Sequence, residues 1–182
     1  KILSRVGAKP FQRALDVGCG RGEVAAMLAL AGLTAVALDY SAEALEIGSH
    51  LRRVFLEPRR NTIHLVRGDA TLLPFNDRTF DSVILADIVE HLHQWQLVLL
   101  YSECHRVLRP NGRLLIHTWP NKWHTKYTYP LVARLSRLMG GRRPLDHRKP
   151  HDAIMHVNEQ SLSSLRADLF KAGFSIERSW CE

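Results

Sequence analysis

The chain has 182 residues, of which 46% are hydrophobic and 24% are charged, and these proportions are typical of one soluble domain with a sizeable core. The sequence contains neither an apolar run of about 18 residues nor a basic, apolar leader, which argues against a membrane span and a secretory signal and favours the cytoplasm. The three cysteines, Cys19, Cys104 and Cys181, are odd in number and far apart, so they match neither a disulfide framework nor a zinc site.

The formal net charge of +7 is concentrated in one segment. Residues 120–156 contain eight lysines and arginines against two aspartates, so six of the seven excess positive charges lie there. A basic segment of this kind is typical of proteins that meet a nucleic acid, an anionic membrane or an anionic substrate.

A buried strand that turns sharply into a helix is predicted near the beginning of the chain. Arg13–Val17 is the strand, three glycines at alternate positions form the turn, and strong helix formers follow over Gly22–Ala31. Glycines allow a positive φ and let a ligand lie against peptide N–H groups at a helix N-terminus. A dinucleotide fingerprint would place its third glycine at position 23, where this chain has Glu23. The spacing here is Gly-x-Gly-x-Gly, which does not match a dinucleotide site.

Strands and helices alternate along the rest of the chain. Further strands are predicted at Thr34–Asp39, Thr62–Val66, Phe80–Ala86, Arg113–Thr118 and Phe174–Trp180. Further helices are predicted from a Ser41 cap to Pro58, at Trp95–Leu108, from Pro130 to Gly140, and at Glu159–Ala172. This alternation predicts an α/β fold with a doubly wound, mostly parallel sheet that is covered by helices on both faces. We predict a single domain over residues 1–182.

Asp39 ends the second strand. In an open parallel sheet the ligand lies outside the carboxyl ends of the strands. An acid at this place can accept hydrogen bonds from both hydroxyls of a ribose. Its alternative role is to cap the next helix, but Ser41 serves better there. Within the turn, Cys19 is interpreted as a small residue that fits tight geometry; the alternative is a thiol with a lowered pKa at the helix start.

The motifs together resemble those of the class I S-adenosylmethionine-dependent methyltransferases. The resemblance rests on Asp16 with the glycine turn, on Asp39, on Asp69-Ala70, and on residues 80–92 and 106–114. The last two stretches are most similar to the small-molecule methyltransferases of ubiquinone and menaquinone biosynthesis, which usually have Pro-Gly-Gly where this chain has Pro110-Asn111-Gly112. The resemblance implies a Rossmann-like methyltransferase fold, S-adenosyl-L-methionine as cofactor and a small-molecule methyl acceptor.

The resemblance also implies the roles of single residues. Asp69 would bind the adenine amino group, the Ala70 N–H would meet a ring nitrogen, and Tyr40 would pack on the adenine face, although a generic core contact suits Tyr40 nearly as well. The family's last strand, antiparallel, would begin where this chain stops at Glu182, so we expect it to be missing. The cofactor-binding residues implied are Asp16, Gly18, Cys19, Gly20, Asp39, Tyr40, Asp69, Ala70 and Ala86.

The loop after the fourth strand bears on the acceptor. Methyl transfer to nucleobase amino groups would need a loop like Asn-Pro-Pro-Tyr, and cytosine C5 chemistry a Pro-Cys pair; Ala86–Val89 is neither, which disfavours nucleic acid as the acceptor. His91 is the nearest candidate base for removing a proton from a hydroxyl acceptor, and packing at a helix start is its alternative role. Asp87, Glu90 and His91 together are a weak signal for a divalent ion, so no metal is predicted.

Residues 120–156 interrupt the resemblance and take the place of the family's substrate lid. An apolar stripe with Arg134 and Arg137 alongside is predicted on its helix, through Leu131, Val132, Leu135, Leu138 and Met139. Such a stripe either packs on the domain or meets an anionic membrane surface or a lipid-like, anionic acceptor. We predict O-methylation of an anionic, aromatic or lipid-linked compound. The alternatives are an RNA methyltransferase and a cofactor-binding module without activity, and the oligomeric state stays open.

Overall fold

The computed structural model describes residues 9–55, 62–119, 123–142, 144 and 155–179. The predicted end of the second helix at Pro58, the basic residues Arg143, Arg148 and Lys149, and Cys181 lie outside these ranges.

Five parallel strands form one sheet in the order β3-β2-β1-β4-β5. The strands are β1 Arg13–Val17, β2 Thr34–Asp39, β3 Ile63–Arg67, β4 Phe80–Ala86 and β5 Leu108–His117. The strand order reverses at β1, which pairs with β2 on one side and with β4 on the other. Ligands of doubly wound sheets bind at the carboxyl ends of the strands beside such a reversal. The predicted doubly wound, parallel α/β fold is confirmed.

In the described ranges, five helices and one short 3-10 helix connect and follow these strands. They are α1 Glu23–Leu30, α2 Ala42–Phe55, the 3-10 helix Val89–His91, α3 Gln94–Val107, α4 Tyr129–Leu138 and α5 Leu162–Lys171. The predicted Ser41 cap is present, since the Ala44 N–H donates to Ser41 Oγ at 3.1 Å. Among the described residues, no helix is long and apolar enough to cross a membrane.

Two apolar cores lie on opposite faces of the sheet, because neighbouring residues of a strand point to opposite sides. On β1, Leu15 and Val17 face the core that includes residues of α3 and α5. Ala14 belongs to the other core, with Ala25 and Leu28 of α1. Since both faces are covered, β1, β2 and β4 are nearly continuous runs of apolar residues, as expected for a parallel sheet.

The last two predicted strands differ from the structure. β5 begins at Leu108 and not at the predicted Arg113. Leu108 pairs with Phe80 and Arg113 pairs with Ser82, so residues 109–112 form a bulge between these two positions. Asn111 accommodates the bulge with a φ of 63°.

The sixth strand predicted at Phe174–Trp180 is not formed over residues 174–179. Within the described residues, β5 pairs only with β4, and a groove separates its free edge from the segment 174–179. An ion pair between Arg113 and Glu177, at 3.2 Å, joins the two sides. The apolar residues of this segment fit the pattern of a strand. No strand forms within the described residues because the segment has no hydrogen-bonded neighbour.

Candidate active site

The glycine turn after β1 has the backbone that its sequence predicts. Gly18, Gly20 and Gly22 have φ values of 70°, 52° and 84°, a region that other residues enter at a cost. The turn is tied to the neighbouring strand, because the N–H groups of Gly18 and Cys19 both donate to the carbonyl oxygen of Leu38, at 2.8 and 3.0 Å. Three glycines thus let the chain leave β1 and enter α1 within five residues.

Two of these glycines differ in their surroundings. A Cβ at Gly18 would lie 2.6 Å from Ile88 Cδ1, so Gly18 is needed for the close approach of the loop after β4. A Cβ at Gly20 would meet no atom within 4 Å. The backbone at Gly20 therefore faces open space in which a ligand can lie against the chain.

Asp39 is brought to this turn at the end of β2, and it is only 7% exposed. One carboxylate oxygen accepts from the Gly20 N–H at 2.7 Å and the other from the Ser41 N–H at 2.9 Å. Each oxygen keeps a further lone pair. The arrangement suits an acid that receives two ribose hydroxyls, and Ser41 performs the capping instead.

Asp16 lies beneath the turn and not at its surface. Its side chain is 1% exposed, and one oxygen accepts from the Ala25 N–H in the first turn of α1 at 3.2 Å. Burial raises the pKa of Asp16 to about 7, and the negative charges of Asp39 and Glu23 act in the same direction. The predicted cofactor-binding residue Asp16 therefore stabilises the turn from behind.

Cys19 is buried in the turn, with its Sγ 3.6 Å from the carbonyl oxygen of Gly20. Burial raises the pKa of the Cys19 thiol, and the charges of Asp16 and Asp39 raise it further. The alternative of a reactive thiolate at the helix start is therefore wrong, and the small-residue interpretation agrees with the structure.

The predicted adenine contacts lie after β2 and β3. Asp69 is exposed and one of its oxygens accepts from both the N–H and the hydroxyl of Thr71, at 2.8 Å each. Among the described residues, none accepts a hydrogen bond from the Ala70 N–H. The Tyr40 side chain is 77% exposed, so the alternative of a core contact is wrong and its ring is available to a ligand.

The loop after β4 lies against the glycine turn through Ile88. Ala86 ends β4, and Asp87 follows with a φ of 55°. Asp87 makes two hydrogen bonds with His117 at the end of β5. The Asp87 N–H donates to the His117 carbonyl oxygen at 3.0 Å, and the Asp87 carboxylate accepts from His117 Nδ1 at 2.7 Å. Asp87 does not join Glu90 and His91 among the grouped ligand atoms of the described residues, so the alternative that these three hold a divalent ion is not supported.

Glu90 and His91 are grouped instead with His156, which was not predicted to be a site residue. The three side chains offer ligand atoms that all lie within 4.8 Å of one another. The His91 and His156 rings meet edge to face, with centroids 4.9 Å apart. His91 is exposed, whereas Glu90 is 1% exposed. The stretch 156–161 also belongs to the family resemblance, but only the fold shows that His156 lies beside the loop after β4.

In the described part of the chain, the apolar stripe of α4 is largely exposed. Within the described residues, α4 makes its main contacts with the wide helical turn just before it, His124–Thr128. Ala133 is buried, but the predicted stripe is exposed at Leu131, Val132, Leu135, Leu138 and Met139. The residues that the structure describes therefore leave most of this stripe uncovered.

Comparisons with known proteins identify the family of the chain. Residues 15–116 match the family model described as a methyltransferase domain. The chain is 36% identical over 138 residues to a demethylmenaquinone methyltransferase of Renibacterium salmoninarum, covering 74% of this chain and 54% of that protein. It is 32% identical over 149 residues to a ubiquinone/menaquinone biosynthesis C-methyltransferase of a Ruegeria species, covering 77% and 58%.

A solved structure shows the same fold. It is a SAM-dependent methyltransferase from Methanosarcina mazei, which is 21% identical and superposes with a TM-score of 0.74 over 97% of this chain and 85% of that one. The chain spans about half the length of the curated relatives, 54% and 58% of the two named above. From the match over residues 15–116, the chain belongs to the methyltransferase domain family, in the class I S-adenosylmethionine-dependent group that the glycine turn and Asp39 predict.

Proposed function

We propose that the chain binds S-adenosylmethionine in the crevice beside β1, β2 and β4 and transfers its methyl group to a small-molecule acceptor. The main support is the hydrogen bond from the Gly20 N–H to Asp39, because it fixes the carboxylate beside the open space at Gly20. An acid for the ribose thereby adjoins the start of α1, whose peptide N–H groups favour a carboxylate such as that of the cofactor's amino-acid end.

The crevice residues fit the parts of this cofactor. Asp39 retains a lone pair on each oxygen for a ribose hydroxyl. Tyr40 offers an exposed ring to the adenine face, and the Ala70 N–H is available to a ring nitrogen. Gly18 keeps the Ile88 side chain close to the turn, so the loop after β4 forms the opposite wall. S-Adenosylmethionine supplies a methyl group on a sulfonium, which is already activated for in-line displacement.

We propose His91 as the base for a phenolic acceptor. Its Nδ1 lies 3.2 Å from the carbonyl oxygen of Met155. A carbonyl can only accept, so Nδ1 carries the hydrogen and Nε2 has a lone pair for the proton of the acceptor hydroxyl. The phenolate oxygen then forms a bond to the methyl carbon, while the carbon–sulfur bond breaks and its electron pair stays on sulfur.

Transfer to a ring carbon is the second candidate. The relative from Ruegeria is named a C-methyltransferase, and others are named demethylmenaquinone methyltransferases. A phenolate shares its negative charge with the neighbouring ring carbons, so the same deprotonation at His91 prepares either atom for attack.

The exposed stripe on α4 supports an acceptor that is linked to a lipid. We propose that this helix rests on an anionic membrane surface, because Leu135 and Leu138 are exposed on a helix that also carries Arg134 and Arg137. Trp123 and Tyr127 lie just before it, 60% and 51% exposed, with ring centroids 5.0 Å apart. Aromatic rings of this kind suit the interface between lipid and water.

The function is tested by incubating the chain with S-adenosylmethionine that carries a labelled methyl carbon. The acceptors are a catechol, a short-tailed demethylmenaquinol and a mixed RNA, and the chemical shift of the labelled methyl distinguishes oxygen from carbon. We expect transfer to a phenolic compound and none to RNA.

A variant of the base refines this test. His91→Gln should lower the transfer rate by about 10²–10⁴-fold while leaving S-adenosylhomocysteine affinity unchanged. His64→Gln, on the exposed side of β3, is the matched control. Transfer to RNA alone would overturn the proposed acceptor class, and an unchanged rate in His91→Gln would overturn the base.

A further inference from the structure

Three side chains with metal-binding chemistry meet just after Ile88, whose side chain lies against the glycine turn. Glu90 and His91 come from the 3-10 helix after β4, and His156 comes from the segment before α5. One carboxylate oxygen and two imidazole nitrogens lie within 4.8 Å of one another. Two histidines and one carboxylate form a donor set that several enzymes use to hold a divalent transition-metal ion with open positions.

The hydrogen bonds around Glu90 and His91 leave their ligand atoms available. His91 donates from Nδ1 to the carbonyl of Met155 at 3.2 Å, so Nε2 is the unprotonated nitrogen. A bond from the other ring nitrogen to a backbone carbonyl is the usual support of a metal-binding histidine. The Glu90 oxygens accept from the Thr118 hydroxyl at 2.9 Å and from the Trp119 N–H at 3.5 Å.

Charge and burial at the cluster both favour a cation. Glu90 is 1% exposed, and within the described part of the chain neither a lysine nor an arginine pairs with it. A buried carboxylate without a cationic partner is costly. The Nδ1 atom of His156 is buried and has no hydrogen-bond partner. An orphaned imidazole nitrogen beside an unpaired carboxylate is the arrangement that a cation would satisfy.

We propose that Glu90, His91 and His156 bind a divalent transition-metal ion, for which Zn²⁺ is the best match to two nitrogens and one oxygen. Ligand atoms around Zn²⁺ lie about 2.0–2.2 Å from the metal, so the three groups must draw together from separations of up to 4.8 Å by about an ångström. His91 is exposed and can rotate to make this adjustment.

The role of the cation rests on the proposed function. The cluster follows Ile88, which contacts the glycine turn, so an ion there adjoins the cofactor crevice. Three protein ligands leave a position for an acceptor oxygen, whose proton the ion makes easier to lose to solvent. His91 Nε2 acts as the base only while no ion is bound; with the ion present, that nitrogen is a ligand and the ion activates the acceptor in its place.

Binding of the metal is tested directly, without cofactor or acceptor. The chelator-stripped chain is titrated with Zn²⁺ alone, and the bound metal is counted by elemental analysis. We expect one ion per chain, and about 100-fold or greater loss of affinity in His156→Ala and in Glu90→Gln. His64→Ala, which removes an exposed histidine of β3, is the matched control and should bind like the original chain.

Two further measurements separate this site from other causes. Co²⁺ in place of Zn²⁺ should give visible bands without sulfur-to-metal charge transfer, since no cysteine belongs to the cluster. Circular dichroism and thermal unfolding of each stripped variant establish that it is folded, and Zn²⁺ should raise the unfolding temperature of the original chain but not that of His156→Ala. Equal affinity in folded His156→Ala, or a sulfur band, would overturn the site.

The role in catalysis is tested separately from binding. Removing the metal should lower methyl transfer to a phenolic acceptor, and Zn²⁺ should restore it in the original chain only. Full activity of the stripped chain would overturn the role of the ion and leave His91 as the base. Metal binding in a chain that binds no S-adenosylhomocysteine would instead count against the proposed function while the metal site stands.

Discussion

Gly18 and Gly20 have the same sign of φ but different neighbours, and this difference gives a matched pair of variants. Gly18→Ala should lower the free energy of unfolding by about 3 kcal/mol or more, because backbone strain adds to a contact with Ile88. Gly20→Ala has open space for its methyl group and should cost only about 1–2 kcal/mol.

Urea denaturation measures both variants, and Ile88→Ala combined with Gly18→Ala separates the two causes. The double variant should recover the part of the loss that comes from the clash. Equal destabilisation by Gly18→Ala and Gly20→Ala would contradict the assigned role of Ile88.

The buried carboxyl of Asp16 makes stability depend on pH. Its pKa is raised from 3.8 to about 7 in the folded chain, so between these pH values the folded chain keeps a proton that the unfolded chain releases. Stability should therefore fall as the pH rises from about 4 to about 7, by at most about 4 kcal/mol, since each tenfold change in proton affinity is worth about 1.4 kcal/mol.

Asp16→Asn tests this dependence, because the amide oxygen can still accept from the Ala25 N–H. The variant should lose the pH slope and be more stable at pH 8, as measured by thermal unfolding across pH. Glu46→Gln, an exposed change on α2, should keep the slope. A slope in Asp16→Asn as steep as in the original chain would assign it to another group.

The loop between β3 and β4 is anchored to α3 by the guanidinium of Arg106. Arg106 donates to the carbonyls of Leu73 and Phe75, at 3.0 and 2.7 Å, and to the carboxylates of Asp77 and Glu103, at 2.9 and 2.7 Å. The hydrogen bond with Arg106 lowers the pKa of the Glu103 carboxyl. A lysine cannot reproduce this fork.

Arg106→Lys should therefore lower the free energy of unfolding by about 2 kcal/mol and weaken S-adenosylhomocysteine binding, because Asp69 and Ala70 lie at the start of the same loop. Denaturation and calorimetry measure the two effects. Arg109→Lys, whose exposed pair with Asp81 lies at 2.9 Å, should cost under about 1 kcal/mol and leave binding intact. Equal effects in the two variants would show that the hydrogen bonds of the Arg106 guanidinium contribute no more than the Arg109–Asp81 ion pair.

The elements that could be predicted are those with local causes. The buried strands β1, β2 and β4 are runs of apolar residues that end in glycine or acid, and Ser41 marks the start of α2. The segment 174–179 could not be predicted in the same way, since its apolar residues fit a strand but strand formation depends on a partner. The early start of β5 depends on the bulge at Asn111. This bulge is visible only in the pairing of β5 with β4, which the sequence does not show.

At the scale of the whole molecule, the charge and the apolar surface meet on α4. We expect the chain to co-sediment with vesicles of anionic phosphatidylglycerol, less so at high salt, and not with neutral phosphatidylcholine vesicles. Leu135→Glu should weaken this binding by about tenfold or more, because it removes an exposed leucine that would enter the membrane and adds repulsion between the glutamate and the anionic lipids.

Leu99→Glu is the control for this experiment, since Leu99 is likewise exposed, at 44%, but lies on α3. It should bind vesicles like the original chain. Binding that Leu135→Glu leaves unchanged, or that is equal for neutral and anionic vesicles, would contradict a docking role for α4.

The candidate site was predictable where its residues follow a strand and not where the fold brings distant segments together. Gly18, Gly20 and Asp39 follow from the rule that ligands lie at the carboxyl ends of parallel strands. His156 does not, because its position beside His91 depends on the path of the chain after β5. The same dependence applies to Asp87, whose carboxylate bonds to His117 and does not join Glu90 and His91.

Calorimetric titration with S-adenosylhomocysteine tests whether the crevice at Asp39 holds S-adenosylmethionine. We predict micromolar binding to the original chain, no binding of NADH, and a loss of about 1–3 kcal/mol in Asp39→Ala, because the ribose hydroxyls lose a charged acceptor. A folded chain that binds no S-adenosylhomocysteine, or a folded Asp39→Ala variant with unchanged affinity, would contradict the claim.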